Sequence, residues 1–155
     1  MSSNLKAMTA GLVATVILSA MIAVKASYGL WPEVNLIQLL MNLGSITRVQ
    51  AWMDHFIIGV VVWGLVYSGL EATWDRGPHW LKGMVLGTVA WLVMMVAFMP
   101  LAKAGFFGSK IGPAGAGVLL VYHLIYGLVL GLTYSLLDTV LTRRGSASSD
   151  TTPHA

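Results

Sequence analysis

Two histidines stand inside runs that otherwise read as lipid-soluble helix, in "MDHFIIGVVVWGLVY" and "VYHLIYGLVLGLTY". Each precedes a glycine by four residues, His55-x3-Gly59 and His123-x3-Gly127. Ionisable groups inside membrane spans are costly and are read first as functional. Residues four apart share a helix face, so each glycine clears space beside its imidazole. On the last run, His123, Gly127, Gly131 and Tyr134 fall within about 80° of one another at 100° per residue. The cleared space suits a neighbouring helix backbone or a flat cofactor. Haem b is the cofactor considered, with one axial imidazole from each side of the ring. The cofactor-binding candidates are therefore His55 and His123 as axial ligands, with Gly59, Gly127 and Tyr126 beside them. The plainer reading is a neutral histidine hydrogen-bonded to a carbonyl or a tyrosine hydroxyl. Proton and metal roles come third.

Other residues carry weaker chemistry. Met95 and Met99 lie at i and i+4, with Met94 adjacent. Thioethers with imidazole suit Cu(I), yet methionine in a membrane run is more often filler. Glu33 and Asp54, with Lys25 and Lys103, read as solvated interface charges or as an outer vestibule passing protons or binding a cation. Asp54 points about 100° away from His55 on a helix, so it is not automatically its partner. The chain has no Cys, which excludes thiolate metal sites and cysteine nucleophiles. It shows no Walker A loop, GxSxG elbow or HExxH motif. No catalytic residue is assigned, and an enzyme is not favoured.

The elements that must position these residues follow from composition. Of 155 residues, 57% are apolar and 10% charged, against about 25% charged in soluble domains. Lipid must be the solvent, and the lipid bilayer is the first partner. The net charge of +3 is scattered, so nucleic acid is not a partner. A span needs about 20 apolar residues. Four runs meet this need, predicting helices over about 7–29, 48–72, 81–102 and 113–141 within one domain, 1–145. "TRVQ" at 47–50 has the form of a capping box that starts the second span. Lys6, the first run and "VKAS" also fit a signal peptide cut after Ala26. Lys25 beside that cut and the length of the run favour a retained span. Pro32 and Glu33 suit the first turn of a short amphipathic helix over 32–43 on the outer interface, with Gly44 ending it. Residues 146–155 read as a disordered polar tail. Basic residues favour both termini on the cytoplasmic side by five to four.

The fold class expected is all-α, an integral membrane four-helix bundle. The chain reads as two tandem two-helix hairpins, because "MIAVKASYG" matches "MPLAKAGFF" and the two His-x3-Gly units correspond. Small residues mark the packing faces: Gly11, Thr15, Gly83, Gly87 and Gly131.

Gly11-x3-Thr15, Lys25, Pro32-Glu33, His55-Phe56-x2-Gly59, Pro100, Gly105-x-Phe107-Gly108 and His123-x2-Tyr126-Gly127 together resemble small bacterial four-span membrane proteins of unassigned function. The resemblance covers nearly the whole chain except the tail. It implies a bacterial inner (cytoplasmic) membrane location and carries over no catalytic residue. Three functions are weighed. The first is an accessory or assembly subunit of a larger inner-membrane complex of the respiratory kind, packed against other membrane subunits or itself. The second is a b-type haem electron-transfer protein using His55 and His123. The third is a small transporter or channel with Asp54, His55 and the 103–117 loop at its outer mouth.

Overall fold

The computed structural model describes the backbone of residues 1–149 and the side chains of residues 1–143. The expected polar tail over 146–155 overlaps only the last turn of this backbone, and 150–155 lie outside the described residues. Among the described residues there are five helices of more than two turns, one short 3-10 turn at Phe106–Gly108 and no strand. Four of them are long and apolar enough to cross a membrane: α1, Ser3–Ser27; α3, Arg48–Thr73; α4, His79–Leu101; and α5, Gly112–Ser149. Helix is the form that satisfies every backbone N–H and C=O inside hydrocarbon. The fifth, α2, spans Leu36–Gly44 and lies between α1 and α3 in sequence.

Local signals set the starts. Ser2 caps α1, its side chain accepting from the Leu5 N–H. Thr47 and Gln50 form the expected reciprocal capping box at α3. Thr47→Ala is expected to cost about 1 kcal/mol, read as a lowered unfolding midpoint in detergent. The short helix starts later than 32. Trp31 adopts a positive φ of 42°, the Val34 N–H bonds to the Trp31 carbonyl at 2.9 Å, and Asn35 caps α2 through the Gln38 N–H. Pro32 and Glu33 therefore belong to the preceding turn. At the other end Gly44 is still helical, and Ser45 takes the left-handed conformation.

The bundle is held by close backbone contact. α1 packs between α3 and α5, and α4 packs on α5. A Cβ on Gly11 would meet the Gly59 and Val60 backbone, and one on Gly83 would collide with the Gly127 carbonyl. Gly87 faces the His123 carbonyl, and Gly131 faces the backbone of His79 and Trp80. Thr15 is buried, against Gly59. In lipid, such approach supplies the van der Waals contact that the apolar effect cannot.

The two helices joined by the 74–78 turn meet mainly through 63–73 and 79–93. Towards their other ends they separate, and the leucines of α2 enter the space between the spans. Each of these two helices carries a π turn in that region, Ile57–Val62 in α3 and Met94–Phe98 in α4. Single π turns inside α-helices recur at functional sites.

Candidate functional site

The separation leaves a cavity at the α2 end of the bundle, with about 120 Å³ of space for the centres of water-sized spheres. All four spans and α2 contribute to its wall, which is almost wholly apolar. Leu36, Leu39, Leu40 and Leu43 close it from α2, while Gln38 and Asn42 pair on the exposed face of that helix. Buried Lys25 donates to the Val34 carbonyl and ties the loop before α2 to the end of α1.

His55 and His123 both line this cavity. They come from α3 and α5, which both pack against α1. His123 Nδ1 lies 2.7 Å from the Leu119 carbonyl. A carbonyl only accepts, so Nδ1 carries the proton and Nε2 of the neutral ring keeps its lone pair. No hydrogen bond engages that Nε2 among the described residues. His55 Nε2 lies 3.2 Å from Ser19 Oγ. The Ser19 hydroxyl donates to the Thr15 carbonyl at 2.7 Å, so its one proton is committed and His55 Nε2–H donates to it. His55 Nδ1 then holds the free lone pair. Tyr126 donates to the Gly59 carbonyl, and Thr15 donates to the Gly11 carbonyl. Each histidine thus keeps one uncommitted ring lone pair, both residues line the apolar cavity, and the Thr15 and Tyr126 protons are already used.

The glycines four residues after these histidines serve packing. The face of Gly127 is taken by the Gly83 backbone, and the face of Gly59 by the Thr15 side chain, although Gly59 also lines the cavity. Tyr126 lines it as well. Asp54 lines neither this cavity nor the open polar pocket where Glu33, Lys103 and Lys110 meet the exposed side of α2. Of the methionines, Met94 and Met99 reach the cavity, whereas Met95 is fully buried in the packing beside it.

A second polar cluster lies at the opposite end, among residues that in sequence only mark the ends of spans. Glu71 of α3 bonds His79 Nδ1 at 2.8 Å through one oxygen and Lys82 Nζ at 2.8 Å through the other. The Glu71 and Lys82 side chains are 8% and 4% exposed. Tyr67 donates to the His79 carbonyl at 2.9 Å and packs edge-on against Tyr134. Tyr134 shares a hydrogen bond with Ser3, and Ser68 donates to Asn4. Lys6 pairs with Asp138 at 2.6 Å. All four spans are joined here. The sequence signal was the short 74–78 turn, which folds Lys82 and His79 back beside Glu71.

A family model covers residues 1–144 and carries the description "Family of unknown function (DUF6789)". The chain belongs to this family. The match includes both histidines, both π turns and the Glu71 cluster. No curated protein and no solved structure matches the chain. Membership assigns no activity to the cavity, and the four helices long and apolar enough to cross a membrane fit a small multi-pass membrane protein.

Proposed function

We propose that the protein is a membrane-embedded binding protein that holds an electron-pair-accepting centre between His55 and His123. The observation that carries this reading is the state of His123: Nδ1 is fixed on the Leu119 carbonyl, Nε2 has no hydrogen bond among the described residues, and His123 lines an apolar cavity that His55 also lines. A backbone carbonyl on one ring nitrogen, orienting the other for ligation, is the usual support of a metal-binding histidine. Neutral imidazole binds metals through either nitrogen, so the free His55 Nδ1 is a competent second donor.

Haem b is the larger centre of this kind. A reduced-minus-oxidised absorption spectrum of the protein in mild detergent tests this form. A sharp α band with a Soret shift, lost in both His55→Ala and His123→Ala, is the expected result for haem. A flat spectrum from folded protein removes haem and leaves smaller centres.

A second reading, an accessory subunit of a larger inner-membrane complex of the respiratory kind, draws on a different observation. Gly69 and Gly117 lie on exposed faces with nothing within 4 Å of a Cβ placed there, so a partner helix can approach either backbone closely. Co-purification with larger subunits at fixed ratio is its test. In either reading we propose a bacterial inner-membrane location, as the resemblance implies, with both termini cytoplasmic on the five-to-four count of basic residues.

A further inference from the structure

Building on the binding reading above, we propose that the cavity is a Cu(I) site in which Met94 and Met99 join His55 and His123 as a neutral set of two nitrogens and two sulfurs.

The π turn carries the argument. Met94 and Met99 are five residues apart, and on a regular α-helix they point about 140° from each other. In the π turn over Met94–Phe98 the Met99 N–H bonds to the Met94 carbonyl, and the extra residue in the turn swings position i+5 towards the face of position i. Met94 and Met99 both line the cavity, and Met95 does not. Met94 and Met99 are 8% and 1% exposed, so neither sulfur is a lipid-facing filler. The same cavity receives the two imidazoles.

The donor chemistry selects the ion. Thioether and imidazole are soft to borderline ligands that favour Cu(I), whereas carboxylate and carbonyl oxygens favour Mg2+, Ca2+ and Mn2+. Among the described residues no group of three or more His, Cys, Asp or Glu is placed to hold a metal ion. All four proposed donors are neutral, so no ligand has to lose a proton on binding. A single positive charge is also less costly to hold in an apolar frame than a double one. A lone ion fits the cavity with α2 in place.

The test is an anaerobic titration of the detergent-purified protein, free of a histidine tag, with Cu(I) against a competing chelator. X-ray absorption at the copper edge then reads the ligands. One Cu(I) per chain with sulfur and nitrogen neighbours is expected. His123→Ala should abolish tight binding. Met94→Leu with Met99→Leu keeps the packing volume and should weaken binding at least about tenfold, since even loss of an outer-shell partner costs 10- to 100-fold. Unchanged affinity in the double leucine variant, or a nitrogen-only shell, overturns the proposal. Copper held by the histidines alone, or a haem spectrum without Cu(I) binding, would leave the broader binding reading standing. Neither haem nor Cu(I) in folded protein would overturn both.

Discussion

Gly127→Ala is expected to destabilise the bundle by about 3 kcal/mol, at the upper end of the usual cost of overpacking. The added methyl would run into the carbonyl of Gly83 and the backbone of Gly87. Backbone atoms of a packed helix cannot turn aside as a flexible side chain can, so α4 and α5 must move apart along their whole contact. Gly83→Ala meets the Gly127 carbonyl from the other side and should cost a similar amount. Gly69→Ala provides the contrast. Its methyl meets nothing within 4 Å on an exposed face, so its stability should stay within about 0.5 kcal/mol of the original protein. Reversible unfolding in mixed micelles, followed by circular dichroism, separates the two cases. Equal stability of Gly127→Ala and Gly69→Ala would mean that this close contact does not hold the helices.

Glu71→Ala should cost about 3–5 kcal/mol, the range for removing one partner of a buried pair. The substitution leaves the Lys82 ammonium, 4% exposed, without its carboxylate. It also takes away the acceptor of His79. The cost should lie mostly in the stranded charge. Glu71→Met combined with Lys82→Leu is then expected to recover most of the loss, because apolar replacement of both members of a buried pair is often close to neutral. Asp138→Ala removes a shorter ion pair but should cost about 1 kcal/mol or less, since Asp138 is 43% exposed and water takes over from it. A double-mutant cycle on Glu71 and Lys82 measures the coupling. A coupling no larger than that of Lys6 with Asp138 would place the pair in an effectively aqueous setting.

Both expectations concern the same end of the bundle, since Gly83 follows Lys82 in α4. The Glu71 cluster fastens α3 to α4 near their connecting turn, where the two helices touch. The cavity opens where they part. The polar network therefore closes the bundle at one end and leaves the other end to α2, whose four leucines occupy the gap.

The amino-acid sequence by itself determined the four spans, the capping box that starts α3 and the small residues on the packing faces. Each follows from local physics. A long apolar run in lipid must satisfy its own backbone as helix, and Thr47 with Gln50 cap the chain within four residues. The tertiary structure decided which faces meet. The spans are apolar almost all round, so periodicity does not mark an inward side, and the partner of Gly127 emerges only when Gly83 lies against it. The π turns escape notice for the same reason, because one extra residue in a uniformly apolar run leaves no trace in its pattern. That hidden shift in phase turns Met94, not Met95, to the cavity beside Met99. Pro32 and Glu33 suited a helix start, but the turn at Trp31 and the cap at Asn35 placed it later. Glu71, His79 and Lys82 looked like markers of span ends, because their pairing depends on two helices folding back on each other. The convergence of His55 and His123 on one cavity is of this kind too: each is visible in sequence, and only the packing of α3 and α5 around α1 brings them together.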